Sequence, residues 1–352
     1  MKIAVVAEFF YPNYGGQEQR LLEILQEISK YGHIVDVYTI RYKSSLPVFS
    51  IHEKINIHRI IDDFTYNAGG GLESRSIKTI VEFSLATCNN VKHGYDKIIF
   101  TQFPILPIFV SGLRNIPGTK ILDFVEYREG WFWEAIFELE MKMADKVVCI
   151  SNIVKDKATK ICKNEKLICI PSSIDLDKFY HVSHDYFVFI GRMEPHKHPE
   201  DAIKAVLEYN FQYNSSFELH LVGGGSLLEQ LKQKYQEYNQ IVFHGFVTEE
   251  EKLKVISKAI GLIFPSEREG LPVSVIECMA AGVPVVTTQY ENNGTYRFVK
   301  TEGIGIVVKP TIESLVEGIE KLLKNRESFS KVCNLKKKEY SADEAARRIL
   351  AL

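Results

Sequence analysis

Short runs of β-branched and apolar residues alternate with longer stretches of helical periodicity along almost the whole chain, and the alternation is played out twice. The first series has strand-like runs at 2–9, 34–40, 55–60, 97–101, 120–125, 146–150 and 167–170, with helical patterns over 17–30, 76–92, 131–144 and 152–162. A polar segment at 171–185 interrupts it, because Pro-Ser-Ser and Asp-Leu-Asp-Lys break regular structure. The second series then supplies strands at 186–191, 217–222, 240–244, 260–265, 283–287 and 305–308, and helices at 199–209, 226–238, 248–258, 272–281 and 311–324. Strands alternating with helices make parallel sheets joined by crossover helices. The expectation is an α/β chain of two Rossmann-like, doubly wound domains facing a central cleft, with a first domain over 1–170, a second over 171–330, and a helical segment at 331–352 that packs back on the first. In such sheets ligands bind at the carboxyl ends of the strands, so the residues of interest should lie just after them.

Two domains also suit a length of 352 residues. Forty-three basic against forty-five acidic residues leave a net charge of -2, so no general basic field points to nucleic acid. The six cysteines are scattered with no C-x-x-C pair, which suits a reducing compartment. The apolar run at the N-terminus is too short for a signal segment, and no stretch approaches the roughly 18 apolar residues of a membrane span. A cytoplasmic protein is expected, with peripheral docking on the membrane face left open. Four histidines, His196, His198, His220 and His244, lack metal-ligand spacing, so no metal site and no cofactor are expected.

The most informative segment runs from Pro265 to Val286. A strand ends at Pro265, a turn containing Glu269 and Gly270 follows, and a helix begins near Leu271, Pro272, Val273 and Ser274. The free N–H groups of that helix start form an anion site suited to a diphosphate. Glu269 and Glu277 beside it would repel an anion unless they address neutral hydroxyls, and an ionised carboxylate accepts hydrogen bonds from sugar or ribose hydroxyls. After the first strand of the second domain stand Gly191, Arg192 and Lys197, a turn with a guanidinium fork and a point charge that fit a diphosphate. Gly15 and Gly16 open the first helix and leave room for close approach of a ligand. They are not part of a G-x-G-x-x-G fingerprint.

Taken with their context, these segments resemble the retaining glycosyltransferases grouped as family 4, of the GT-B type. The resemblance rests on Glu269 and Glu277 in an E-G-x-P setting, on Gly191-Arg192 with Lys197, and on the Pro12 to Glu18 element. It implies that Glu269 contacts the transferred sugar, Glu277 holds the ribose, and Arg192 and Lys197 neutralise the leaving diphosphate. It further implies that His244, Gly245 and Phe246 lie near the nucleobase. The implied activity is metal-independent retaining transfer from a nucleotide sugar, such as a UDP-, GDP- or ADP-sugar, to a carbohydrate or lipid-linked acceptor. Three departures stand out: His198 replaces a usual Gly, Ser172 a usual Asn, and no histidine follows the fifth strand. Asp123, Glu126 or Arg128 is the candidate for that last place, with Glu126 preferred because it follows the strand end; Trp131 and Trp133 beside it could stack on an acceptor. The alternatives are an inverting or epimerising enzyme of the same fold and a nucleotide-sugar-binding protein without transfer activity.

Overall fold

The computed structural model describes residues 1–13, 15–64, 76–91, 94–182, 185–291 and 293–352. Tyr14 of the double-glycine turn, Lys92 at the end of an expected helix, and residues 183–184 of the expected linker lie outside the described residues. The chain divides into two compact units, Met1–Ser173 with Ala342–Leu352, and Ile174–Ser341.

The first unit opens with β1 (Lys2–Val6), α1 (Gly16–Lys30), β2 (Ile34–Arg41), β3 (Phe49–His52), β4 (Ile55–Asp62) and α2 (Ile77–Asn90). It continues with β5 (Lys97–Thr101), α3 (Leu106–Leu113), β6 (Thr119–Phe124), α4 (Trp131–Met143), β7 (Lys146–Cys149), α5 (Asn152–Ala158) and β8 (Leu167–Cys169). The eight strands form one sheet in the order β3-β4-β2-β1-β5-β6-β7-β8, parallel except for the β3–β4 pair. Strands buried on both faces need apolar residues at every position, and β1 shows the division. Ile3 and Val5 join the core beneath α1, whereas Ala4 and Val6 join the core on the other face with Phe83, Ile108 and Phe137.

The second unit holds β9 (Tyr186–Ile190), α6 (Pro199–Tyr213), β10 (Glu218–Val222), α7 (Leu228–Lys234), β11 (Ile241–Gly245), α8 (Glu249–Ile256) and β12 (Ala259–Phe264). It ends with α9 (Val273–Ala280), β13 (Val285–Thr288), α10 (Gly294–Glu302), β14 (Gly305–Val308) and α11 (Ile312–Lys336). Its six strands are all parallel, in the order β11-β10-β9-β12-β13-β14. Strand order therefore reverses beside β9, and the crevice at that switch point is where a doubly wound sheet binds its ligand.

Helix α12 (Ala342–Leu350) returns to the first unit, where Ala345, Ala346 and Ile349 pack with Leu21 and Leu25 of α1. The sequence placed a boundary at 330/331, but α11 runs unbroken through it and buries Cys333 in the second unit's core. The crossing falls at 341/342 instead, and the earlier one lies at 173/174 rather than 170/171. Three elements were not expected. The strand β3 reaches β4 through Glu53 and Lys54, both at positive φ, a turn made without the usual Asn or Gly. Helix α3 has an apolar, β-branched sequence that reads as a strand, and α10 starts inside a Gly/Asn-rich loop, capped by Asn293. Among the described residues no helix is long and apolar enough to cross a membrane.

One carboxyl is poorly housed. Glu140 on α4 is fully buried and neither carboxyl oxygen has a hydrogen-bond partner. Burial pushes its pKa up to about 9. A carboxyl whose folded pKa lies above its unfolded value holds its proton longer in the folded state, so its contribution to stability falls as pH rises from about 4.5 towards about 9. The neutral isostere Glu140→Gln escapes this loss. Its advantage over wild type in urea unfolding should grow by roughly 1.4 kcal/mol per pH unit between pH 5.5 and pH 8. A difference that stays constant across that range would show that Glu140 titrates normally.

Candidate active site

In the second unit the residues after β9 and those after β12 meet at the switch point. Gly191 donates its N–H to Val222 O at 3.0 Å, and Met193 N donates to Gly224 O at 2.8 Å, which locks the turn after β9 to the turn after β10. The approach is close because Gly223 sits at φ 127°; a Cβ there would lie 2.1 Å from Gly191 O. A short helical turn, Pro195–Lys197, then leads into α6. His198 takes the left-handed conformation (φ 51°, ψ 45°) that a glycine would adopt freely. Its ring is held by Asp201 Oδ2 at 3.1 Å and stacks on Tyr290, with centroids 5.5 Å apart. The unusual residue thus keeps a glycine-like path.

Lys197 is directed at Glu269, and its ammonium pairs with Glu269 Oε1. The fully buried Ser266 donates its hydroxyl to the same oxygen at 2.9 Å. Two backbone contacts fix the loops: Glu267 N to His196 O at 2.8 Å, and Gly294 N to Glu269 O at 2.7 Å. Asn293 ties in a third strand end, donating Nδ2 to Ser266 O at 2.8 Å and to Thr288 O at 3.1 Å. At Gly294 any side chain would strike Gly270 O, 1.9 Å from an ideal Cβ. Arg192 is exposed beside this cluster. Burial first, then the positive charges of Lys197, Arg268 and Arg192, hold the His196 pKa below its ordinary value. Three cations therefore act on one small region that already contains the start of α9. That helix has no side-chain cap over its first turn, Val273 and Ser274, and follows the buried Leu271 and the N-cap Pro272.

Glu277 lies one turn further along α9, 2% exposed, and Lys252 of α8 reaches its Oε1 at 2.6 Å. Beyond β11, Gly245 turns at φ 67° and Phe246 stands 82% exposed with its ring over Gly224. The His244 imidazole is engaged differently: its Nε2 meets His220 Nδ1 at 3.1 Å, and His220 in turn stacks on Tyr186 and contacts Glu218. Burial and the neighbouring His220 hold its pKa below the usual histidine value. As a side chain, His244 belongs to this sheet-edge pair.

The first unit carries its candidates at the same edge of its own sheet. Gly15 caps α1 and Gly16 begins it, but the Glu18 carboxylate already lies over Gly15, 2.1 Å from where a Cβ would stand. Asp123 is buried and accepts Arg20 Nη1 on both oxygens at 2.9 Å, which leaves Glu126 and Arg128 as the accessible charged candidates after β6. Glu126 is about half exposed, with Oε2 3.2 Å from Arg128. Its loop is shaped by a residue that sequence reasoning missed. The buried Gln102 accepts N–H groups from Val125 and Glu126 at 3.0 and 2.8 Å and donates to Glu126 O at 2.6 Å. The Arg128 guanidinium lies over the Phe103 and Trp133 rings at 5.0 and 4.8 Å. Trp131 and Phe132 next to it are exposed. Ser266 belongs to the Pro265–Val286 segment, whereas Asn293 and Gln102 carry no motif and only follow a strand end.

Residues 179–341, nearly the whole second unit, match the family described as glycosyl transferases group 1. The O-antigen chain mannosyltransferase RfbU of Salmonella typhimurium is 27% identical over 246 residues, which are 66% of this chain and 67% of that protein. Among solved structures, sucrose-phosphate synthase of Thermosynechococcus elongatus superposes with a TM-score of 0.80 at 19% identity, covering 99% of this chain and 97% of that one. HepE of Anabaena in complex with UDP and glucose gives 0.71 at 13% identity, covering 100% and 98%. The likeness to these two is one of fold. Family match, relatives and fold agree with the cluster at the strand ends: the second unit matches the glycosyl transferases group 1, the relatives are glycosyltransferases, and the chain is built on the GT-B fold.

Proposed function

We propose that the chain moves a sugar from a nucleoside-diphosphate sugar to a carbohydrate or lipid-linked acceptor, with retention at the anomeric carbon and without a divalent cation. The observation that carries this reading is the Lys197–Glu269–Ser266 constellation at the carboxyl ends of β9 and β12. The sugar hydroxyls are neutral donors suited to Glu269, and the diphosphate is an anion suited to Lys197, Arg192 and the start of α9. In the free enzyme Lys197 and Glu269 neutralise each other; a donor offers each a better-matched partner. That HepE is seen with UDP and glucose on the same fold favours this class of donor. Glu277 takes the ribose, and Phe246 offers its exposed ring to the base.

Transfer proceeds by front-face attack. The bond from the anomeric carbon to the diphosphate oxygen breaks as the acceptor hydroxyl oxygen approaches from the same face, and the departing phosphate oxygen receives the acceptor's proton. Lys197, Arg192 and the α9 N–H groups stabilise the charge developing on that phosphate. On the first unit, Glu126 and Arg128 face the acceptor, while Trp131 and Phe132 suit a sugar ring or a lipid-linked chain near a membrane surface. RfbU is named as an O-antigen chain mannosyltransferase, which favours a glycan acceptor.

Product analysis by NMR after turnover of an α-linked donor should show an α-linkage; a β-linkage would replace retention by inversion. Glu269→Gln is expected to lower kcat about 100-fold or more with an unchanged far-UV spectrum, since one fixed transition-state contact carries that much. Full activity in that variant would remove Glu269 from the site. Excess EDTA should leave the rate untouched, and Arg192→Ala or Lys197→Ala should cost roughly 100- to 1,000-fold without rescue by Mg²⁺ or Mn²⁺. Activity lost in EDTA and restored by Mn²⁺ would overturn metal independence. Glu126→Ala should raise the acceptor KM or lower kcat by about tenfold, and full transfer would return Glu126 to the role of a solvated carboxylate.

A further inference from the structure

Lys252 sits on α8 between two carboxylates. Its ammonium is 2.6 Å from Glu277 Oε1 and 2.9 Å from Glu249 Oε2, with the side chains 19%, 3% and 33% exposed. The start of α8 is fixed only two residues after Phe246 by a reciprocal cap: Thr248 Oγ1 accepts from Glu251 N at 3.3 Å, and Glu251 Oε2 accepts from Thr248 N at 2.8 Å. The same helix therefore follows the loop carrying the exposed aromatic ring and delivers a cation to the buried glutamate of α9.

We propose that Lys252 is a positioning residue for nucleotide binding, holding Glu277 ionised and aimed so that its carboxylate can accept the ribose hydroxyls. The inference rests on the ribose reading of Glu277. Ribose hydroxyls present O–H donors, and an ionised carboxylate only accepts, through lone pairs on both of its oxygens. A carboxylate buried as deeply as Glu277 needs nearby positive charge to present bare acceptor oxygens, and Lys252 brings its ammonium to 2.6 Å. Burial works against its own charge, but Glu277 and then Glu249 outweigh it and hold the Lys252 pKa above the ordinary lysine range. As a stabilising device the arrangement is poor, because a buried ion pair gains little over apolar side chains of similar volume. Its place is explained by what Glu277 must do. Lys252 is also withdrawn from the diphosphate by the two carboxylates, which separates it from Arg192 and Lys197.

Calorimetric titration tests the proposal with UDP, GDP and ADP, each beside its 2′,3′-dideoxy form, using the pair that the wild-type chain binds. The wild type should prefer the ribose form by about 10- to 100-fold, the range for hydrogen bonds to a charged group. In Glu277→Gln and in Lys252→Met the preference should fall to about threefold or less, the double variant should lose no more, and Lys252→Arg should recover most of it. Where Lys252→Met does not fold, Lys252→Gln carries the same comparison, because it keeps a donor and removes the charge. If Glu277→Gln abolishes the preference and Lys252→Met or Lys252→Gln retains it, Lys252 only joins two helices and the proposal is overturned. If Glu277→Gln itself retains the preference, the ribose reading of Glu277 fails first. Absence of binding by all three nucleotides to the wild type would strike at the donor class.

Discussion

Two parallel strands cannot be joined by a hairpin; the chain must leave at one edge of the sheet and return to the other before it can pair again. Every loop that follows a strand is thereby delivered to the same edge. In the second unit this constraint gathers Gly191 to Lys197, Gly223 to Gly225, Gly245 and Phe246, Ser266 to Glu269, and Asn293 into one neighbourhood, although they span about a hundred residues. The reversal of order beside β9 opens a crevice between two of these loops, and Lys197 and Glu269 fill it from opposite sides. Close approach of the backbones then excludes side chains at Gly223 and Gly294.

Charge is distributed in the same economical way. Mostly enclosed ions come in pairs, Lys197 with Glu269 and Lys252 with Glu277 in the second unit, and Arg20 with Asp123 in the first. The pairs differ in what a ligand can do to them. Lys197 suits an anion and Glu269 suits hydroxyl donors, so a ligand that carries both could separate them without leaving either charge bare. Asp123 and Arg20 are both almost fully enclosed, and neither can turn to an acceptor without uncovering the other.

The alternation of strand and helix was legible because it is a local pattern, and so was the Glu269/Glu277 spacing, which lies within one strand-turn-helix unit. What stayed hidden depends on distant partners. Strand β3 exists because β4 offers it an edge, and its own residues Phe49 and Ile51 are exposed. Helix α11 outruns its expected end because its later turns bury Cys333 against the second unit's core. Gln102 and Asn293 bind backbone groups of other loops, and no motif announces a side chain whose partner is a main-chain carbonyl or amide. Asp123 looked as eligible as Glu126 in sequence; only the arrival of Arg20 from α1 disqualified it.

The departures from the family pattern can be ranked by whether the structure supplies their function by other means. At 198 the usual glycine provides a left-handed backbone, and a residue with a Cβ loses roughly 1 kcal/mol or more in adopting it. Here Asp201 and Tyr290 grip the imidazole and compensate, so the path into α6 and the direction of Lys197 are kept. The missing histidine after β6 is a different matter, since a histidine brings chemistry as well as shape. In its neighbourhood this chain has instead a half-exposed carboxylate beside a guanidinium stacked on two aromatic rings. Such a pair accepts and donates hydrogen bonds while staying charged, whereas a neutral imidazole does both without charge. Glu126 and Arg128 thus present a charged acceptor and a charged donor side by side, where a histidine would present one neutral ring.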